Sequence, residues 1–359
     1  MKTLFIAPNL EGGGAQKALL KLARGLTERG HDARVLIFER HIEHFVPDGL
    51  TVEALLPPGR QFSGGWLGKR VLAWRLRKWF RNAASKGAFD LIISTLPFTD
   101  EVVRLAGLPG VWYRIANTLS GEIANLAGKK AKRRRARYIR LYDRQNIIAV
   151  SQGVAEDLQA EFHLANSRIE VIYNPFDFGE MVRLSKERDA DLPNVPYLLH
   201  VGRFVRQKRH DVLFDAYKAS GLPHQLVLLT QPNPALIDLI TARGLTGRVV
   251  IAGFRKNPYP WYANAAAVLL TSDFEGMPNV LIEALACGVP VVSTDCPSGP
   301  REVLTHSMRR FLVPRGDTLQ IARRLQEIVE SRPDIDKTVL APFEMSTILE
   351  QVESLAAKS

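Results

Sequence analysis

Hydrophobic and polar positions in the first half of the chain follow a repeating order: a short apolar block, a turn, then a longer stretch with helical spacing. The blocks at residues 2–8, 32–39, 51–56, 91–97, 111–116, 146–151 and 168–173 read as strands, and residues 18–29 carry a helical pattern. Asn174-Pro175-Phe176-Asp177 is turn chemistry, and a charged, proline-containing stretch follows it to residue 196. The order then restarts. Strands are expected at 197–202, 225–229, 249–253, 267–271, 290–294 and 310–313, with helices at 209–219, 234–243, 280–286 and 318–329. Strands alternating with helices predict parallel sheets covered on both faces. A chain of 359 residues outgrows a single core. The expected architecture is α/β: two doubly wound domains over residues 1–178 and 179–340, and a last helix within 341–359.

One helix in this pattern is odd. Residues 280–286 are apolar all round except for Glu283, and Asn279 before them has the chemistry of an N-cap. A helix apolar on every side is buried, and a carboxylate on it needs a partner. Glu275 lies eight residues earlier, in a Gly/Pro loop at the carboxyl end of the strand expected at 267–271. In open α/β sheets that edge is where ligands bind.

The first strand of the second half ends at the same edge, in Gly202-Arg203-Phe204-Val205-Arg206-Gln207-Lys208. Arg203 and Lys208, beside a helix start, suit a diphosphate and the charge that a departing nucleoside diphosphate develops, without a metal ion. A buried Glu283 suits the vicinal hydroxyls of a ribose, which leaves Glu275 facing a sugar or the reaction centre. Ser298-Gly299-Pro300-Arg301-Glu302 begins a short helix that adds backbone N–H groups at this edge. The bland alternatives are solvated loop charges and a core acid with a structural partner; the shared edge weighs against them.

After the first strand, Asn9-Leu10-Glu11-Gly12-Gly13-Gly14-Ala15 leads into a helix, a layout that presents N–H groups to an anion. The spacing is not Gly-x-Gly-x-x-Gly, so a dinucleotide site gains little support. A structural tight turn and a turn against phosphate or substrate both stand.

Charge narrows the partners. The net charge of +11 calls for an anionic one. Residues 66–81 mix Lys and Arg with Trp66, Trp74 and Trp79 at helical spacing. Two readings stand: a membrane-surface helix, or a surface helix packing its Trp stripe on the sheet. Residues 129–140 hold eight Lys or Arg and no acid, including Arg133, Arg134 and Arg135. Tyr138 is the one aromatic there, so stacking on single-stranded nucleic acid has little support. A solvated helix face, anionic lipid headgroups or a phosphorylated acceptor fit better. Cys287 and Cys296 are the only cysteines, which fits a reducing cytosol better than a disulfide scaffold. No apolar run is long enough to span a bilayer, and the first residues read as a strand, not a signal peptide. The expected location is cytoplasmic, with peripheral contact at the inner membrane face.

Taken together and in order, Gly13-Gly14-Ala15, Asn174-Pro175, Gly202-Arg203 with Lys208, and the Glu-x7-Glu from Glu275 to Glu283 resemble the retaining glycosyltransferases of family 4. The resemblance covers essentially the whole chain. It implies the GT-B fold, in which two Rossmann-like domains face each other across a cleft, and a final helix that crosses back to the first domain. It implies that Arg203 and Lys208 bind the donor diphosphate, Glu283 the ribose, and Glu275 with Gly276, Met277, Pro278 and Asn279 the rest of a UDP-sugar. Gly13 and Gly14 would approach the phosphates and acceptor. The activity implied is transfer of the sugar to a hydroxyl with retained configuration, the leaving phosphate taking the acceptor proton, with no metal or other cofactor. The positive balance adds a membrane-associated glycan acceptor, such as a lipopolysaccharide core or a lipid-linked oligosaccharide. The sequence departs from the family in lacking a His after the strand at 111–116, where Asn117 stands. Three rivals stand beside this reading. One is a metal-dependent glycosyltransferase of the other fold, using Asp189-Ala190-Asp191 or Asp334-Ile335-Asp336. The others are a non-catalytic polyanion binder and a nucleotide-sugar epimerase or dehydrogenase.

Overall fold

A computed structural model describes residues 1–11, 13–43, 46–47, 49–62, 64–85 and 87–357. Gly12 of the first glycine turn lies outside the described residues. The chain divides into two units, Met1–Phe176 with Phe343–Ser359, and Asp177–Pro342.

The first unit runs β1 (Lys2–Ala7), α1 (Gly14–Glu28), β2 (Asp32–Ile37), β3 (Thr51–Ala54), α2 (Trp66–Ala84), β4 (Leu91–Thr95), α3 (Pro97–Ala106), β5 (Val111–Ile115), α4 (Leu119–Ala124), α5 (Gly128–Tyr142), β6 (Asn146–Ala149), α6 (Gln152–Ala160) and β7 (Arg168–Val171). All pairs are parallel, with Phe5 opposite Val35 on one side and Ile93 on the other. The order β3-β2-β1-β4-β5-β6-β7 reverses direction between β1 and β4. Leu4, Phe5, Ile6 and Ala7 are all fully buried, as expected of a strand covered on both faces.

The second unit runs α7 (Phe178–Leu184), β8 (Tyr197–Val201), α8 (His210–Ser220), β9 (Gln225–Leu229), α9 (Pro234–Ala242), β10 (Val249–Ile251), α10 (Tyr259–Ala263), β11 (Ala267–Leu270), α11 (Asn279–Ala286), β12 (Val291–Thr294), α12 (Pro300–Val303), β13 (Leu312–Val313) and α13 (Thr318–Glu330). Its parallel sheet has the order β10-β9-β8-β11-β12-β13, which reverses between β8 and β11.

The last helix, α14 (Met345–Ala356), belongs to the first unit. Phe176 and the residues after Pro342 exchange backbone bonds: the Phe176 N–H donates to the Phe343 carbonyl at 3.0 Å, and the Met345 N–H to the Phe176 carbonyl at 2.9 Å. Ile348, Leu349, Val352 and Leu355 then join Leu19, Leu22, Ala23 and Leu26 of α1 in one apolar cluster over Phe5, Val35 and Ile37. Gly25 makes this approach possible, since a Cβ there would lie 2.8 Å from Leu349 Cδ1.

The structure differs from the expected elements in several places. The strand expected at 91–97 ends at Thr95, and Pro97 starts α3, because proline tolerates the first helical turn. The strand expected at 310–313 keeps only Leu312–Val313. The residues before it form a 3₁₀ turn that puts Met308 and Phe311 into the core. Asn279 is the first residue of α11, not its cap; Pro278 precedes it without a side-chain cap bond. Among the described residues no helix is long and apolar enough to cross a membrane.

Candidate active site

Loops leaving β8, β11 and β12 meet at the carboxyl edge of the second sheet, beside its point of reversal, where open α/β sheets bind ligands. The first opens at Gly202, where a Cβ would sit 3.4 Å from Lys208 Cε and 3.5 Å from His200 Nε2. Glycine thus lets the lysine stem lie across the strand end. Arg206–Lys208 make one 3₁₀ turn, and Arg209 adopts the left-handed region (φ 49°) before α8 begins.

Five contacts zip this loop to the one after β11. The Asp273 N–H donates to the Gln207 carbonyl at 2.9 Å, and the Gln207 side-chain amide to the Phe274 carbonyl at 2.7 Å. The Thr271 hydroxyl donates to the Lys208 carbonyl at 2.8 Å. Arg209 bridges Asp211 (2.8 Å) and Asp273 (3.0 Å). Lys208 Nζ donates to Glu275 Oε1 at 2.6 Å, and these two side chains are 16% and 9% exposed. The loop after β12 closes on the same residues. The Glu275 N–H donates to the Pro297 carbonyl at 3.3 Å and the Ser298 hydroxyl to the Gly276 carbonyl at 2.7 Å. Ser298 and Gly299 both have positive φ, 71° and 92°. A Cβ at Gly299 would lie 2.2 Å from Pro278 Cδ, so this contact requires glycine.

Two histidines lie beneath the edge. His200 is fully buried, and burial, with His210 and Lys208 nearby, holds its imidazole well below the ordinary range. Burial and Lys208 lower His210 to about 4. Both rings are neutral at pH 7, so the loop lysine and arginines carry the charge. Arg203 is exposed and makes no ion pair to a described residue. Arg315, after β13, donates to the Asp273 carbonyl at 3.2 Å. Both cysteines are free, and burial raises both thiols, Cys287 to about 12.

The structure separates the two acids. Glu283 is buried and accepts a hydrogen bond from the Tyr262 hydroxyl at 2.8 Å. Tyr262 lies on α10, a segment without an assigned element in the sequence. Its Tyr-Pro-Trp-Tyr run gave no periodic signal, so the partner of Glu283 was missed. The Arg209–Asp273 tether was missed because Arg209 reads as the first residue of the helix expected at 209–219 and its partner lies 64 residues further on.

In the first unit, Gly13 is extended (φ 177°) and Gly14 is the exposed first residue of α1. Neither has a positive φ. Asn117 follows β5 and accepts from the Thr118 N–H at 3.0 Å. Arg114, one strand turn earlier, is buried and donates to the Asn174 side chain, which ties β5 to the Asn174-Pro175 turn. Burial lowers its guanidinium to about 10. Trp74 is 61% exposed, whereas the Trp79 indole turns inward to Glu53 at 3.0 Å. Arg133 is exposed; Arg134 lies over Tyr138 and Arg135 over Phe162. Glu11, His41 and Glu43 bring three ligand atoms within 4.8 Å, and all three residues are exposed.

Two parallel sheets with flanking helices, of this strand order, define the GT-B class of glycosyltransferases. The crystal structure of Anabaena HepE in complex with UDP and glucose matches with a TM-score of 0.76 over 100% of both chains, at 24% identity. Residues 12–180 match the sequence pattern of Glycosyltransferase Family 4, and residues 195–331 that of Glycosyl transferases group 1. The chain belongs to glycosyltransferase family 4. N-acetylgalactosamine-N,N'-diacetylbacillosaminyl-diphospho-undecaprenol 4-alpha-N-acetylgalactosaminyltransferase of Campylobacter jejuni is 36% identical over 166 residues, 45% of each chain. Lipopolysaccharide 1,6-galactosyltransferase of Salmonella typhimurium is 31% identical over 190 residues, 51% of this chain and 52% of the relative. The chain spans about half the length of these curated relatives it matches.

Proposed function

We propose that this protein transfers a sugar from a UDP-sugar to a hydroxyl of a membrane-associated glycan, a lipopolysaccharide core or a lipid-linked oligosaccharide, with retained anomeric configuration. The observation that carries the reading is the Lys208–Glu275 pair, held on loops zipped together at the reversal point of the second sheet. Lys208 uses one N–H on Glu275 and keeps two for a diphosphate. Arg203, exposed at the start of the loop, adds the second cation. Together they stabilise the charge on UDP as the bond from the anomeric carbon to its phosphate oxygen breaks. The acceptor oxygen bonds to that carbon from the same face, and its proton passes to the leaving phosphate. Glu283, oriented by Tyr262, holds the ribose, and Glu275 fixes Lys208 and borders the sugar. Gly276, Met277, Pro278 and Asn279 surround the donor.

No step uses a metal ion. Asp189 and Asp191 of the rival Asp-x-Asp are engaged by the Trp261 indole (2.7 Å) and Arg255 (2.6 Å), and the fold is not that of the metal-dependent rival. UDP in the HepE structure and the acceptors in the names of the two relatives support the donor and acceptor classes. The setting is the cytoplasmic side of a membrane, with peripheral contact. The test is UDP release from a panel of UDP-sugars, with and without a membrane extract, in buffer containing EDTA. Acceptor-dependent release with one donor or a few is expected. No release with any donor would refute the activity, and release restored only by divalent metal would refute the metal-free mechanism.

A further inference from the structure

We propose that α2 and α5 of the first unit form one docking surface for an anionic lipid bilayer. The aromatic stripe of α2 enters the headgroup layer while the basic face of α5 lies on lipid phosphates. This deepens the proposed function and rests on it for the acceptor, naming the surface that would bring the enzyme to a membrane-bound glycan.

On α2, Trp66, Leu67, Val71 and Trp74 are 67%, 69%, 53% and 61% exposed. They lie on the side opposite the buried Leu72, Ala73 and Leu76. An ordinary amphipathic helix buries its apolar stripe; this helix carries a second one facing outward. Cations accompany it, with Arg70 4.8 Å from the Trp66 ring and Lys78 5.7 Å from that of Trp74. Exposed Trp with Lys and Arg is the composition of a helix lying in a membrane interface.

On α5, Lys129, Lys132, Arg133 and Arg140 share one exposed face and bond to no described residue. The other arginines of the run are occupied: Arg135 pairs with Glu161, and Arg137 with Glu101. Glu101 also accepts from Lys69 of α2 at 2.5 Å, so one carboxylate of α3 pins α2 and α5 on either side of itself. Both helices start at the carboxyl edge of the parallel sheet, where the Gly13–Gly14 turn also lies. The stripe and the basic face therefore begin at the end of the unit assigned to the acceptor. Bulk polyanion binding fits less well. Tyr138, the one aromatic within the basic run, is buried, so α5 offers no stacking platform beside its cations.

The test is co-sedimentation of the full chain at low salt with phosphatidylcholine vesicles and with equimolar phosphatidylcholine–phosphatidylglycerol vesicles. Binding about tenfold or more tighter to the anionic vesicles is expected. Lys132→Glu with Arg133→Glu should abolish that preference, and Trp66→Ala with Trp74→Ala should weaken binding to both vesicle types. All four side chains are exposed, so unchanged thermal unfolding confirms that each variant is folded. Equal binding to both vesicles, or anionic binding that neither double variant lowers, would overturn the proposal. So would polyphosphate binding as tight as vesicle binding and indifferent to loss of the two tryptophans, which would assign the face to a soluble polyanion. UDP binding by calorimetry separates the two readings. Vesicle binding absent with UDP bound refutes the docking surface alone; UDP binding absent with vesicles bound refutes the enzymatic reading alone.

Discussion

Arg209 stands in a backbone conformation that costs a residue with a Cβ about 1–2 kcal/mol, the left-handed region at φ 49°. Its guanidinium repays this locally by bridging Asp211 and Asp273, pairs that are about one third exposed and individually weak. Its function is therefore positional: it tethers the loop that carries Glu275. Arg209→Gly should leave the unfolding temperature nearly unchanged, because strain relief offsets the lost pairs. It should raise KM for the UDP-sugar roughly fivefold, the equivalent of ~1 kcal/mol. An unchanged KM in steady-state kinetics would dismiss the tether. Asp100, in the first unit, is fully buried and accepts from the Ser94 hydroxyl (2.5 Å) and the Tyr142 hydroxyl (2.7 Å). Burial pushes its carboxyl up to about 7. The folded state therefore holds this proton more tightly than the unfolded chain does, so its contribution is complete below about pH 4 and is lost as pH rises through about 7. Asp100→Asn should gain stability relative to the parent across that window, measured as the difference in unfolding midpoint. A difference independent of pH would contradict the assignment.

At the scale of elements, α14 is the informative case. Its four buried apolar residues complete the core over β1 and β2, and Gly25 of α1 sets how closely it lies. Leu349→Ala should destabilise the first unit by roughly 2–5 kcal/mol in denaturant unfolding, as a buried leucine lost from a packed core. A loss below about 0.5 kcal/mol would mean that the helix is docked loosely. The strands were legible because both of their faces are buried, which leaves near-continuous apolar runs such as Leu4-Phe5-Ile6-Ala7. Short helices were not. α3 begins at Pro97 inside an apolar run, and α10 packs Tyr-Pro-Trp-Tyr into barely more than one turn, too short for periodicity to show. Site legibility divides in the same way. Glu283 stood out as the lone acid on an apolar helix, whereas Tyr262, Arg209 and Arg114 act through neighbours distant in sequence and left no local pattern.

At the scale of the molecule, the cations behind the charge of +11 fall into two different arrangements. In the second unit, Arg203, Lys208, Arg209 and Arg315 gather on the loops at the carboxyl edge, and all but Arg203 are held by bonds to the neighbouring loop. In the first unit, Lys129, Lys132, Arg133 and Arg140 of α5 bond to no described residue and share an open helix face. The first arrangement is preorganised for one compact anion; the second suits a diffuse surface. The central claim is that Arg203 and Lys208 stabilise the leaving diphosphate, and single-turnover transfer by Arg203→Ala and Lys208→Ala tests it most directly. The expected result is a fall of about 10²–10³ in the rate of transfer at saturating donor, the roughly 2–4 kcal/mol associated with losing a charge-stabilising donor. Near parental rates in both variants would contradict it.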